Sequence, residues 1–169
     1  MNAYLLTAAV WAIPVLFAIT FHELAHGYAA LALGDPTAQF LGRLSLNPLR
    51  HVSWIGTVLI PLLLLLTGTG LVMGWGRPLP LNSATLRNPR RDLALIHLAG
   101  PAANLAMAIV WYAISRSAIA DPGLQLMAQA GTIVNSSMAV FNLLPFAPFD
   151  GAHVARWILR RPAPAVLRA

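Results

Sequence analysis

The chain has 169 residues, of which 58% are apolar, and its mean hydropathy is +0.69. A composition this apolar excludes an ordinary soluble globular domain and predicts a single membrane-embedded domain over residues 1–169. The formal charge of +6 comes from arginines, because the chain has no lysine, and the arginines avoid the long apolar runs. This distribution fits contact with anionic lipid and argues against nucleic acid as a partner, while the absence of cysteine excludes disulfides and thiolate metal ligands.

Four apolar stretches are each close to the ~20 residues that a bilayer-spanning helix needs. They cover residues 4–33, 54–73, 93–115 and 124–146, and short segments rich in glycine and proline separate them. The sequence therefore predicts an all-α, polytopic helical bundle, an integral multi-pass protein of a bacterial or archaeal cell membrane.

The first stretch contains the run His22-Glu23-Leu24-Ala25-His26, an HExxH motif that includes the only glutamate of the chain. Histidines four residues apart lie on one face of a helix, so both imidazoles can bind one metal ion while Glu23 lies beside a coordinated water molecule. The alternative is a pair of helix histidines packed against polar neighbours. A charged glutamate in a lipid-embedded helix costs ~3 kcal/mol unless it faces a partner or a cavity, and this cost favours a metal site and zinc-assisted hydrolysis.

The second stretch, residues 54–73, either crosses the membrane fully or re-enters on the side where it began. Pro61 interrupts it, and Gly68 and Gly70 weaken its end. If it re-enters, ten of the 11 arginines share one side of the membrane, whereas a full crossing divides them eight against three. The positive-inside tendency therefore favours re-entry, with the C-terminus in the cytoplasm.

The fourth stretch leads through two prolines, Pro145 and Pro148, to Asp150. A regular helix cannot continue through such a segment, and the break can direct a carboxylate into the interior of the bundle. The chain has three other aspartates, each in a turn or at a helix start: Asp35, Asp92 and Asp121. By elimination, Asp150 is the predicted third ligand of the metal, and the alternative is an N-cap for a short helix over residues 152–159.

A metal ion shared by His22 and Asp150 constrains the topology. Because His22 lies near the exit end of the first stretch and Asp150 lies just beyond the fourth, these two stretches must run in the same direction. Counting both intervening stretches as full crossings gives opposite directions. This argument also favours a re-entrant second stretch.

These motifs resemble those of the site-2 protease family of intramembrane zinc metalloproteases, in the short form without PDZ or CBS domains. The family combines HExxH on one transmembrane helix with NxxPxxPxDG on a later one, which matches residues 142–151. Three further segments are similar to family motifs: GPxxN at residues 100–104, NPLxH at 47–51 and the GW-basic-PxP segment at 74–80.

The resemblance implies one Zn²⁺ ion held by three residues, namely His22, His26 and Asp150. It implies that Glu23 activates the water and that Asn104 and Asn142 contact the substrate or its oxyanion. For Asn104 the alternative is a side-chain hydrogen bond that joins two helices. The resemblance also implies that an extended substrate pairs with the strand-like residues 77–82, a small β-strand element in the loops.

We therefore expect a zinc-dependent endopeptidase that cleaves transmembrane segments of membrane proteins, as in regulated intramembrane proteolysis. Its expected partners are a transmembrane protein substrate and the lipid bilayer. Since no sensory domain is found, control is expected to come from a regulatory membrane partner, a homo-oligomer or prior trimming of the substrate. The alternative function is a non-catalytic zinc-binding membrane scaffold or transport component, and the retention of Glu23 argues against it.

The three remaining histidines are not predicted to bind the metal. His51 is expected at the membrane interface, His97 in a hydrogen bond within the bundle, and His153 in support of the Asp150 turn.

Overall fold

The structure is a computed structural model that describes residues 3–67, 75–117 and 121–160. Its helices, in chain order, are α1 (Ala3–Ala32), α2 (Thr37–Phe40), α3 (Ile60–Leu66), α4 (Pro89–Arg116), α5 (Pro122–Asn142) and α6 (Gly151–Ile158). A π-helical segment, Trp54–Leu59, leads into α3, and short 3₁₀ turns occupy Pro48–Arg50 and Ser83–Thr85. The described residues are thus mostly helical, as predicted.

Three aspartates have the structural roles expected of them. Asp121 accepts a hydrogen bond of 2.6 Å from a backbone N–H in the first turn of α5, and Asp92 accepts one of 2.8 Å from the residue that precedes α4. Asp35 accepts one of 2.7 Å from the backbone N–H of Asn82, which ties the turn after α1 to the segment before α4. These carboxylates therefore fix helix starts and a loop.

The bundle is formed by α1, α4 and α5, and α4 is antiparallel to both of the others. Going up α1, Ala18 contacts Asn104 and His26 contacts Ile96, so residue numbers on α4 fall as those on α1 rise. Asn104 contacts Asn135 on α5, whereas the earlier residue His97 contacts Asp150 beyond the end of α5. It follows that α1 and α5 run in the same direction, as a shared metal requires.

Small side chains allow the three helices to approach closely. The buried small residues of the bundle are Ala18, Ala30, Gly100, Ala108, Ala128, Ala130, Gly131 and Ala139. Such residues are typical of helix interfaces in membranes, where packing and interhelical hydrogen bonds replace the hydrophobic effect. The backbones therefore lie close enough for short polar side chains to bond across the bundle.

Two helices of the described residues are long and apolar enough to cross a membrane, Val10–Ala32 within α1 and Pro89–Arg116, which is α4. Large apolar side chains such as Phe17 and Ile109 are exposed on them. The predicted fourth stretch also forms a helix, α5, with 21 residues, but it is not among the two.

The two ends of residues 56–75 are bonded to each other. The Trp75 N–H donates to the Gly56 carbonyl at 3.1 Å, and the Thr57 hydroxyl donates to the Trp75 carbonyl at 2.8 Å. Next to them, the Arg77 N–H donates to the His51 carbonyl at 2.7 Å. The segment therefore begins and ends at the same level of the bundle, as a re-entrant segment does.

The helical part of this segment is also short. It comprises the six residues Trp54–Leu59 and the seven residues Ile60–Leu66. At 1.5 Å per residue these thirteen residues extend about 20 Å, less than the ~30 Å hydrocarbon core of a bilayer. Residues 68–73 of the predicted stretch lie outside the described residues.

The predicted small β-strand element at residues 77–82 is not found. The chain is extended from residue 75 to residue 82, but no regular strand forms within the described ranges. Pro78 and Pro80 have no N–H to donate, which prevents a continuous ladder on their side of the segment.

Candidate metal centre

Three side chains from two parts of the chain converge in the bundle. His22 and His26 lie one turn apart on α1, and their Nε2 atoms are 2.9 Å apart. Asp150, in the turn before α6, places its Oδ2 3.1 Å from His22 Nε2 and 3.3 Å from His26 Nε2. Both histidines are only 5% exposed. The structure thus brings together all three predicted metal ligands.

Hydrogen bonds on the far side of each ring fix the state of its Nε2 atom. His26 Nδ1 donates to the Ile96 carbonyl at 2.7 Å, and His22 Nδ1 donates to Asn104 Oδ1 at 2.5 Å. Asn104 must present its oxygen there, because its Nδ2 donates elsewhere, to the Ala18 carbonyl and to Asn135 Oδ1. A neutral imidazole with its proton on Nδ1 has a lone pair on Nε2.

The centre therefore consists of two imidazole lone pairs and one carboxylate oxygen that face one another. Such a group is stable only around a cation. In a tetrahedral zinc site, bonds of 2.0–2.1 Å place ligand atoms about 3.3 Å apart, close to the separations of 2.9–3.3 Å seen between these atoms. Two nitrogens and one oxygen are also the ligands of many catalytic zinc sites, which keep a fourth position open. The residues fit zinc.

Gly100 explains how α4 can lie against the two imidazoles. A Cβ at this position would overlap Cε1 and Nε2 of His26 and would lie 2.7 Å from His22 Cε1. Real Cβ atoms essentially never come this close to another atom. Glycine is therefore required at this point of α4 for steric reasons.

The Asp150 side chain is turned towards the histidines and away from its own helix. Asp150 occupies the N-cap position of α6, but its side chain makes no capping hydrogen bond, so the alternative of an N-cap is not supported. Burial raises the pKa of Asp150, but the neighbouring imidazoles of His22, His26 and His97 outweigh it and hold the pKa well below its usual range. The carboxylate is ionised, as a ligand should be.

Glu23 follows His22 on α1 and faces the segment that returns from the re-entrant part of the chain. Its Oε2 is buried and has no hydrogen-bond partner among the described residues. Its Oε1 faces the backbone of Gly76, where a Cβ would lie 3.5 Å away. An uncommitted carboxylate oxygen in a buried site is available to accept a proton.

Arg43 lies beneath the same segment. It is 8% exposed, and its Nη2 donates to the Arg77 carbonyl at 2.8 Å. Burial lowers the pKa of Arg43, and the nearby Glu23 carboxylate opposes that change. The guanidinium thus holds the backbone of residue 77 and lies close enough to Glu23 to act on its charge.

The two asparagines predicted to contact the substrate have different surroundings. Asn104 is fully buried, and its side chain bonds to His22, Ala18 and Asn135, so the predicted alternative of joining helices is satisfied. Asn142 lies at the end of α5, where its Nδ2 donates to the Met138 carbonyl at 3.0 Å. Contact of either residue with a substrate stays a prediction.

The three other histidines lie near the centre without joining the ligand set. His97 donates or accepts at 2.8 Å from Asp150 Oδ1 and stacks on His153, with ring centroids 3.8 Å apart. The predicted hydrogen bond of His97 is therefore present, and its partner is a metal ligand. His51 is fully buried and bonds to the Ser45 carbonyl at 2.7 Å, so its predicted interfacial position is wrong.

No protein-family profile and no solved structure matches the chain. Curated relatives do. A Bacillus subtilis protein named "Putative zinc metalloprotease YwhC" is 36% identical over 151 residues, which cover 84% of this chain and 65% of the relative. A Mycolicibacterium smegmatis protein named "Putative zinc metalloprotease Rip2" is 29% identical over 158 residues, covering 89% of this chain and 56% of the relative.

A Methanocaldococcus jannaschii protein, "Putative zinc metalloprotease MJ0611", is 41% identical over a shorter region of 64 residues, or 37% of this chain. The chain spans 65% and 56% of the lengths of the Bacillus and Mycolicibacterium relatives. The similarity to proteins named as zinc metalloproteases agrees with the geometry of His22, His26 and Asp150, and together they identify Zn²⁺ as the cofactor of this chain.

Proposed function

We propose that the chain is a zinc-dependent endopeptidase of the site-2 protease family, which cleaves transmembrane segments of membrane proteins. The observation that carries this proposal is the combination of three converging metal ligands with Glu23, an adjacent carboxylate whose Oε2 has no other partner in the described structure. A site that only bound zinc would not require an uncommitted acid beside it.

The chemistry divides among a few residues. His22, His26 and Asp150 would hold the ion and leave one position open for the reactants. When bound, Zn²⁺ polarises a scissile carbonyl and lowers the pKa of bound water to about 7. Glu23 Oε2 then accepts the proton of the attacking water and passes it to the leaving nitrogen of the peptide. Asn104 and Ile96 keep the imidazoles in the required tautomer.

The depth of the site supports cleavage within the membrane. His22 is ten residues from Ala32, the end of the apolar helix Val10–Ala32. At 1.5 Å per residue, it lies about 15 Å from that end. The metal centre is therefore near the middle of a helix that can span a ~30 Å hydrocarbon core. We propose a multi-pass membrane protein in which residues 54–73 re-enter.

A groove beside the centre supports an apolar substrate. It is open, has a volume of about 490 Å³ and lies along one face of α1. Its lining residues are Phe21, Leu24, Ala25, Tyr28, Leu44, Leu46 and Ala103. Ala25 and Ala103 are next in sequence to His26 and Asn104, so the groove runs past the ligand set. An extended apolar segment lying there would pass close to Glu23.

The test is cleavage of single-span membrane peptides by the purified protein in detergent. Wild type, Glu23→Gln and a chelator-treated sample are compared, and the zinc content of each is measured. We expect Glu23→Gln to keep one zinc per chain and to lose cleavage, because the amide cannot take up a proton. Chelation should abolish cleavage, and added Zn²⁺ should restore it.

The non-catalytic zinc-binding scaffold or transport component makes the opposite prediction. In that case, Glu23→Gln binds zinc normally and retains full biological activity in cells. Cleavage that persists without zinc, or that survives Glu23→Gln at the wild-type rate, would overturn the proposal of a zinc peptidase.

A further inference from the structure

The two oxygens of the Asp150 carboxylate have different neighbours. Oδ2 faces the Nε2 atoms of His22 and His26, whereas Oδ1 is 2.8 Å from Nδ1 of His97. A carboxylate accepts hydrogen bonds and donates none, so the proton of this bond belongs to His97. One side chain on α4 thus binds the oxygen that the histidine pair does not face.

His97 is itself held in place from two directions. Its ring stacks on His153 of α6, with centroids 3.8 Å apart and planes 10° from parallel. It follows Ile96, whose carbonyl fixes His26, and both lie in the first turns of α4. The donor therefore has a fixed position relative to the α1 ligands.

Asp150 depends on such support. It lies in the turn that follows Pro145 and Pro148, outside any helix interior, and its side chain makes no capping bond with α6. Rotation about its side-chain bonds would bring either oxygen, or both, towards the histidine pair. The described contacts include one hydrogen bond that opposes this rotation, the bond from His97.

We propose that His97 is a positioning residue that fixes Asp150 as a ligand through Oδ2 alone. With Oδ1 held by the imidazole N–H, the carboxylate cannot swing to offer both oxygens to the metal. The position that a second oxygen would occupy then stays open for water or substrate. The inference rests on the proposed metal centre, and it assigns the geometry of that centre to a residue on α4.

The experiment measures the affinity of purified protein for Zn²⁺ by competition with a chelator of known affinity. His97→Leu removes the donor and keeps a side chain of similar size, and we expect the affinity to fall roughly 10- to 100-fold, the usual effect of losing such a partner. His97→Asn retains an amide N–H near the position of Nδ1 and should restore most of the loss. Circular dichroism and size-exclusion chromatography establish that each variant is folded.

A double-mutant cycle separates positioning from general stability. In an Asp150→Asn background the ligand that His97 holds is already changed, so His97→Leu should have little further effect on zinc affinity. The visible spectrum of the Co²⁺-substituted protein gives a second readout. It should differ between wild type and His97→Leu, because the coordination number of the metal changes when Asp150 binds through both oxygens.

The outcomes distinguish this inference from the proposed function. Failure of wild type to bind zinc would reject the metal centre itself. Tight binding by wild type, with unchanged affinity and an unchanged Co²⁺ spectrum in folded His97→Leu, would reject the role of His97 alone. The inference would also be wrong if the effects of His97→Leu and Asp150→Asn simply added.

Discussion

Gly100 lies against the imidazole of His26 so closely that a Cβ at residue 100 would overlap the ring. The ring cannot retreat freely, because its Nδ1 is bonded to the Ile96 carbonyl at 2.7 Å. We expect Gly100→Ala to displace Nε2 and to weaken zinc binding at least tenfold. A tenfold loss corresponds to about 1.4 kcal/mol, within the ~1–3 kcal/mol cost of overpacking.

Gly131→Ala is the matched control for this change. A Cβ at Gly131 would lie 2.5 Å from the ring of Trp111, which is a comparable clash between α5 and α4. The variant should lower thermal stability without changing the zinc affinity of the folded protein. Equal zinc affinities for the two glycine variants would contradict the steric role of Gly100.

Removal of the Asn104 side chain should act through His22. Asn104→Leu keeps the size of the side chain but leaves His22 Nδ1 without its acceptor, which lies at 2.5 Å. Zinc affinity should fall by roughly one to two orders of magnitude, as for other partners of metal-binding histidines. The measurement is chelator competition, combined with steady-state cleavage kinetics at saturating zinc.

The same measurement tests the predicted contact of Asn104 with the substrate or oxyanion. If that contact were the only role of Asn104, its loss would lower kcat and leave zinc affinity unchanged. Asn135→Leu serves as the control. It removes one acceptor from Asn104 Nδ2 while the bond to Ala18 remains, so it should reduce zinc affinity less than Asn104→Leu.

Arg43→Met should affect catalysis without removing the metal. The guanidinium bonds to the Arg77 carbonyl beneath the segment that faces Glu23. Loss of a charged hydrogen bond of this kind costs about 1.5–3 kcal/mol, enough to release the segment from its position. We expect normal zinc content, slower cleavage and faster hydrogen exchange in residues 75–82.

Arg50→Met is the comparison for Arg43→Met. Arg50 also bonds to a backbone carbonyl, that of Gly42, but it is exposed. Its replacement should leave cleavage within the range of the wild type. An effect of Arg50→Met as large as that of Arg43→Met would show that the arginines act only on general stability of the loops.

Re-entry of residues 54–73 can be tested with single cysteines, since the natural chain has none. Leu49→Cys and Arg87→Cys are at exposed positions on either side of the segment. A membrane-impermeant thiol reagent should label both from the same side of sealed vesicles. Arg116→Cys, at the far end of α4, should react only from the other side. Labelling of residues 49 and 87 from opposite sides would mean that the segment crosses fully.

Much of the metal centre could be predicted from local spacing. His22 and His26 are joined by one helical turn, and Asp150 was left by the small number of acids in the chain. The structure brings these three together. Re-entry also followed from sequence, because the shared ligand set fixes the relative direction of two helices.

The role of His97 required knowledge of the packing. No motif marks this residue, and its partner is Asp150, 53 positions away. A signal was nevertheless present, because His97, Gly100 and Asn104 are spaced three and four residues apart and therefore share one face of α4. That face lies against the α1 histidines. The predicted strand at residues 77–82 failed for a different reason, since an extended sequence still needs a neighbour with a continuous set of backbone groups.

The separation of the ligands along the chain has a consequence for biosynthesis. Glu23 and two of the three zinc ligands lie in the first helix, while Asp150 comes 128 residues after His22. Asn104, which sets the tautomer of His22, takes its own orientation partly from Asn135 on α5. A growing chain leaving the ribosome thus carries its hydrolytic acid long before it can retain a metal. Until the last helices have inserted, the newborn protease is inert towards the membrane proteins being made around it.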